Sequence, residues 1–251
     1  MSRHFVLPLI LLFLTTHALG AETRDAEAVA VAQRTLEAMG GKQAFASLRT
    51  LKFDFVVERE GKEAVRVHHV WDRWDGRYRV DFVNREGKHV VTLFNAQNPG
   101  AGRSWLDGRE LEGEELKKAL ERGYGRFIND TYWLLMPAKM LDPGVNLASE
   151  GTTELDGKAY SVVRLTFNGV GLTPDDTYWA FVSKDTGLMD RWEFVLTGQD
   201  PKTRSAHVWS DWQTIGGIRV ALTKTAKDGA SVIRFEKVSG SGSADDSAFT
   251  P

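Results

Sequence analysis

The feature that most constrains this chain is an alternation of apolar and polar residues with a period of two. In residues 51–58 the odd positions are apolar and the even positions are mostly polar. Successive side chains of a strand point to opposite faces, so this period predicts strands with one buried face. The pattern returns at 65–71 and 78–82, with glycine-containing turns between the segments.

The C-terminal half repeats the pattern, and the short turns between its segments favour an antiparallel meander. The predicted strands of this half are 160–167, 177–183, 188–196, 206–212, 218–224 and 232–237. Residues 239–248, rich in Gly, Ser and Asp, are predicted to form a flexible tail.

Three helices are predicted besides one short turn. Apolar residues at helical spacing indicate a helix from Asp25, the N-cap, to Met39, before a Gly-Gly pair. In the middle of the chain, 110–122 is predicted as a charged surface helix. Residues 131–136, ended by Pro137, form a second helix that is apolar nearly all round and must be covered.

These elements predict a mainly β, α+β fold in a single domain, residues 21–251. We expect a strongly curved antiparallel sheet of about ten or more strands, forming a half-open β-barrel. The N-terminal and mid-chain helices are its lid or plug. A sheet of this size encloses more volume than its own side chains fill, so a helical lid leaves a lipid-sized space.

The N-terminus predicts export. Arg3 and His4 precede an apolar run, 5–14, and the small residues of Ala18-Leu19-Gly20 follow. This order is that of a secretory signal peptide, residues 1–20, and the expected location is the periplasm. The apolar run has about ten residues, whereas a helix needs roughly 20 to span a bilayer, so no transmembrane segment is expected in the mature chain. The sequence has no cysteine, which excludes disulfides and a lipid-modified cysteine.

Charge and motifs argue against several classes of function. The signal peptide holds one of the 32 basic residues and none of the 34 acidic ones, so acidic residues outnumber basic ones in the mature chain. A chain with this balance is not expected to bind nucleic acid. Asp185-Thr-Gly187 matches the aspartic-protease triplet but has the setting of a hairpin turn. His68 and His69 are adjacent on a strand, so they point to opposite faces and cannot share a metal ion. We therefore predict no catalytic residue, no metal site and no cofactor.

The aromatic side chains remain as candidates for lining the cavity. We take them from the apolar face of each predicted strand and from the apolar mid-chain helix. The predicted ligand-binding residues are Phe53, Phe55, Trp71, Tyr78, Phe82, Phe94, Tyr132, Trp133, Met136, Trp179, Phe181, Trp192 and Phe194.

The whole mature chain resembles the LolA-like family, periplasmic proteins similar to the outer-membrane lipoprotein-sorting protein. The resemblance rests on the order of elements and on the segments 132–145, 176–178 leading to 185–187, and 249–251. It implies a half-open barrel with a helical lid that binds lipid or lipoprotein acyl chains without a cofactor. It also implies a membrane-bound donor or acceptor protein as a further partner, and we expect a monomer.

Two other functions stay open from the sequence. A sensor or partner-binding module on the same barrel predicts an exposed patch and a poorly formed cavity. A hydrolase would need at least two polar residues that converge in a pocket.

Overall fold

The computed structural model describes residues 22–250, so the predicted signal peptide lies outside the described residues. The helices are α1 (Ala26–Ala38), α2 (Gly41–Ser47) and α3 (Gly113–Leu135), with 3-10 turns at Met136–Lys139 and Asp246–Phe249. The strands are β1 (Thr50–Arg59), β2 (Lys62–Asp72), β3 (Arg77–Val83), β4 (His89–Asn95), β5 (Asn98–Leu106), β6 (Arg109–Glu110), β7 (Val145–Leu155), β8 (Lys158–Phe167), β9 (Thr177–Ser183), β10 (Met189–Val195), β11 (Ser205–Ile215), β12 (Ile218–Ala226) and β13 (Ser231–Ser241).

All thirteen strands form one antiparallel sheet, in the order β6-β5-β4-β3-β2-β1-β13-β12-β11-β10-β9-β8-β7. Two meanders, β1–β6 and β7–β13, are joined because the first strand pairs with the last. Strands β6 and β7 are left as the two edges, so the sheet is open. The predicted fold class, a curved antiparallel half-open sheet with N-terminal and mid-chain helices, is confirmed.

Helix α3 follows one edge strand and precedes the other, and its buried side chains lie on one face of the sheet, here called the inner face. Gly123 permits this close approach, because an added Cβ would lie 3.1 Å from Thr92 and 3.3 Å from Phe94. The prediction of two mid-chain helices, 110–122 and 131–136, is wrong. Asp130, which lies between the two predicted helices, is fully buried inside a single 23-residue helix.

Helix α1 covers the inner face at β7 and β8. The Asp25 side chain accepts a hydrogen bond from the Glu27 amide, as expected of an N-cap. Ala28, Val31 and Ala32 pack with Leu147 of β7 and Val163 of β8 in one buried cluster. Among residues 22–250, no helix is long and apolar enough to cross a membrane.

Further segments differ from their predictions, and no strand bounds were predicted for β4, β5 and β6. Strand β7 was not predicted, because its outer half, 149–155, is polar and contains a bulge. The tail predicted at 239–248 begins inside β13, where Ser239–Ser241 pair with β1. After β13, Lys52 forms an ion pair with Asp245, and the Arg77 guanidinium lies 4.6 Å from the Phe249 ring centroid. The chain therefore stays on the sheet almost to its end.

The inner face holds one fully buried amine. Lys224 of β12 is 0 % exposed, and its Nζ lies 4.0 Å from the Phe235 ring centroid and 4.6 Å from that of Trp209. Nζ donates to the Ala221 carbonyl oxygen at 2.5 Å. Burial lowers the pKa of Lys224 well below its usual value, since the ammonium form loses its hydration.

Replacing Lys224 by Met should stabilise the protein at neutral pH. An unfolded lysine binds a proton below about pH 10.4, whereas the buried amine of the folded state binds it only at lower pH. Protonation therefore favours the unfolded state, and the free energy of unfolding falls as the pH drops below that value. We expect Lys224→Met to raise the free energy of unfolding at pH 7 by about 1 kcal/mol or more, the value of one pKa unit. The gain should shrink towards pH 10.5. Urea unfolding at both pH values measures it, with exposed Lys227→Met as the control; equal stability of Lys224→Met and wild type at pH 7 would refute the argument.

Candidate ligand-binding site

In the N-terminal half of the sheet, the predicted aromatic residues pack directly against α3. Phe127 of α3 makes edge contacts with Trp71, Tyr78 and Phe94, at centroid distances of 5.2, 4.6 and 6.4 Å. Phe53 and Phe55 pack on Phe235, and both are almost fully buried. Phe82 is half-buried at the margin of this cluster. The predicted residues share the inner face, but α3 fills the space above them.

A buried polar triad lies beneath α3. His69 Nε2 is 3.0 Å from Asp130 Oδ2, and the Tyr78 hydroxyl is 2.9 Å from His69 Nδ1. Burial lowers the pKa of His69 and raises that of Tyr78, so both are neutral. The consistent arrangement is that Tyr78 donates to Nδ1 while Nε2–H donates to the Asp130 carboxylate. The triad thereby fixes α3 on β2 and β3.

In the C-terminal half a second aromatic cluster surrounds the end of α3. The Trp133 ring lies 4.6 Å from Trp192, 4.9 Å from His207 and 6.4 Å from Phe194. Tyr132 contacts Trp192 at 5.7 Å. Met136 is completely buried in the same cluster. These predicted residues also lie on the inner face.

The prediction that Trp179 and Phe181 face inward is wrong. Inward-facing Trp192 pairs with Ala180, whereas Trp179 and Phe181 pair with Glu193 and Arg191. Both aromatics belong to a separate cluster on the outer face, under the guanidinium groups of Arg204 and Arg191. The neighbouring Tyr178 and Val182 face inward instead, since alternate residues of a strand take opposite faces. A period of two gives the faces but cannot say which one is inside.

A cavity of about 560 Å³, within the range of small-molecule pockets, opens beside α3. Its walls come from α1, α2, the end of β2, the second half of α3 and the loop 167–173. Of the predicted residues, Trp71 and Tyr132 line it; the others do not. Phe127, Phe167 and Tyr178 line it without having been predicted. Phe127 lay in a segment assigned to no helix, and Phe167 ended a strand whose face was not assigned.

The loop that walls the cavity is anchored at Asp176. Its carboxylate is 1 % exposed and accepts hydrogen bonds from the Thr197 amide and hydroxyl and from the Tyr178 hydroxyl. Burial alone would raise the pKa of Asp176, but the hydrogen bonds, including one from Thr173, together lower it. The loop therefore holds Tyr178 against the cavity.

The Asp185-Thr-Gly187 turn and the His68-His69 pair lie where the sequence predicts them. Residues 184–187 form the turn between β9 and β10, as predicted for Asp185-Thr-Gly187. His68 lies on the outer face and contacts Asp54 at 2.7 Å, opposite to His69, as predicted. Within residues 22–250, no group of three or more His, Asp or Glu side chains is placed to hold a metal ion.

No family model matches the sequence, and no curated protein matches it. Among solved structures, a LolA superfamily protein from Nitrosomonas europaea superposes with a TM-score of 0.51 at 11% identity. A DUF1329 family protein from Desulfovibrio piger superposes with a TM-score of 0.50 at 14% identity. Each alignment covers 89% of this chain and 97% of the other. The chain has a LolA-like fold. In this LolA-like fold the cavity lies between the three helices and the inner face of the sheet.

Removing the carboxylate of the triad should loosen α3. Asp130→Ala leaves the buried His69 Nε2–H without an acceptor, which costs about 1–3 kcal/mol. We expect a loss of that size in the free energy of unfolding, measured by urea denaturation. Glu121→Ala, an exposed position of the same helix, should change stability by less than about 0.5 kcal/mol. Equal effects of the two substitutions would show that the triad does not hold the helix.

Proposed function

We propose that this protein binds an apolar, lipid-like ligand in the cavity beside α3 and carries it in the periplasm after export. The observation that carries the proposal is the cavity itself, whose apolar wall includes Phe127, Tyr132, Leu135, Phe167 and Tyr178. Aromatic and aliphatic walls with few polar groups are typical of sites for apolar ligands. The LolA-like fold and the signal-peptide pattern support the same function and location.

The filled centre of the sheet limits what the ligand can be. Phe127 and the triad occupy the space under α3, so the ligand has the volume of the side cavity only. A volume of about 560 Å³ suits one or two acyl chains better than a folded partner. Leu172 at the rim is 56% exposed, so this loop gives the ligand its apolar entrance.

The first experiment is native mass spectrometry, with lipid extraction, of protein purified from its own periplasm. We expect a co-purifying lipid or other acylated species. Ala138→Trp, which fills the cavity from the 3-10 turn, should lose it. Val208→Trp, which introduces the same side chain at an exposed outer-face position, should keep the lipid. A clean apo mass in the wild type, with no uptake of a fluorescent fatty acid, would instead favour a partner-binding module.

Two adjacent residues provide a matched test of the binding face. Tyr178 lines the cavity, whereas Trp179 lies on the outer face. Trp179→Ala should lose about 3 kcal/mol or more, as for a buried aromatic side chain, and Tyr178→Ala, at a half-buried position, should lose less. Only Tyr178→Ala should weaken binding of a fluorescent fatty acid, by about tenfold. Weaker binding by Trp179→Ala in protein that remains folded would place the ligand elsewhere.

A further inference from the structure

Arg73 differs from its neighbours Arg49, Arg66 and Arg77. Arg49 and Arg77 form ion pairs with Asp72, and Arg66 forms one with Asp54. Arg73 directly follows β2 and lines the cavity. Among residues 22–250, no carboxylate forms an ion pair with it. Burial lowers the pKa of Arg73, and no acidic neighbour offsets this effect. It is thus a half-buried cation without a countercharge.

The guanidinium group is oriented by Nη1, and its other two nitrogens have no acceptor among the described residues. Nη1 donates to the carbonyl oxygens of Phe45 and Leu48, which fixes the group beside α2. Nε is buried and has no hydrogen-bond acceptor, and Nη2 donates to no described residue. Nη2 is therefore the nitrogen left to bind a ligand, and a guanidinium N–H binds a carboxylate or phosphate through a charge-assisted hydrogen bond.

A second donor lies at the same end of the cavity. The Arg73 guanidinium lies 5.5 Å from the Trp71 ring centroid, and Trp71 Nε1 is also buried without an acceptor. An unmet buried donor costs about 1–3 kcal/mol. Both side chains carry donors only, so the group that would satisfy them must be an acceptor.

The remaining charges of the cavity favour an anion. Asp142 is the one carboxylate among its described lining residues, and it forms an ion pair with Lys139. Lys42 lines the same cavity and is exposed. The cavity therefore has an excess of positive charge at its polar end, whereas Tyr132, Phe167 and Tyr178 form its apolar wall.

We propose that the ligand of this cavity is an amphiphile with an anionic head group, a carboxylate or a phosphate, held by Arg73 beside Trp71. This inference rests on the proposed function and adds the chemistry and orientation of the ligand. The head group accepts from Nη2 of Arg73, and the chain lies along Phe127, Tyr132 and Tyr178. Lys42 adds long-range attraction at the rim.

The test compares ligands with the same chain and different heads on the full mature protein. Palmitic acid, lysophosphatidic acid with a palmitoyl chain, and hexadecanol each compete against an uncharged fluorescent apolar probe. We expect the two anions to bind about tenfold or more tightly than the alcohol, the effect of a charge-assisted hydrogen-bonded pair. Inorganic phosphate alone should not displace the probe, because the acyl chain of the ligand supplies most of the affinity. Displacement by phosphate would overturn the proposal that the ligand is an amphiphile.

The Arg73 variants assign the preference to this side chain. Arg73→Gln should reduce the affinity for palmitic acid about tenfold and leave hexadecanol unchanged, whereas Arg73→Lys should retain part of the preference. Arg103→Gln, an exposed arginine paired with Glu110, should behave as wild type. If Arg73→Gln does not fold, the wild-type comparison of acid and alcohol and the Arg73→Lys variant still decide.

The outcomes separate the two proposals. Equal affinity for acid and alcohol in the wild type would overturn the anionic head group and leave the lipid-binding function intact. A preference for the acid that persists in folded Arg73→Gln would also overturn it, because another group would then bind the head. Failure of the probe and of all three amphiphiles to bind would overturn the proposed function itself.

Discussion

The pairing of β1 with β13 is the interaction on which the rest of the structure depends. It joins the first and last strands of the described chain, so two meanders become one sheet with a common inner face. A sheet that is apolar on its inner face and remains open must be covered by something other than its own strands. The chain between the two meanders is α3, and its position follows from the topology, since it must cross from β6 to β7. The cavity exists because this crossing helix covers most of the face but not its margin.

The period of two in the sequence was sufficient for β1–β3 and β8–β13 but did not assign β4–β7, and the N-cap at Asp25 was sufficient for the start of α1. The continuity of α3 was not predictable in the same way. Gly123 and Asp130 are poor residues for a helix interior, and each is explained only by what it meets across the sheet: the side chains of Thr92 and Phe94, and the ring of His69. Tertiary contacts here override local propensity.

The candidate site was predicted less well than the fold, for a geometric reason. Alternation identifies two faces of β9 but is symmetric between them, and both faces of this strand are apolar. Tyr178 and Trp179 could only be distinguished by the register with β8 and β10. The cavity moreover draws its walls from three helices, a loop and strand ends that are far apart in the sequence, and no local residue period shows that they meet. The observation that most sharpens its chemistry is the guanidinium of Arg73 without a countercharge. It depends on how Nη1 meets the carbonyl oxygens of Phe45 and Leu48.

The two edge strands have a consequence for the behaviour of the protein at high concentration. Exposed edges with unpaired amides can template pairing with another chain and lead to aggregation. Strand β6 has only two residues, and β7 is bridged near its start by the segment around Arg24. Beyond that point β7 has a bulge between Ser149 and Thr152, and Glu150 and Glu154 place charge along it. The β7 edge of the sheet thus offers a neighbouring molecule little regular strand to extend, which disfavours intermolecular pairing on that side.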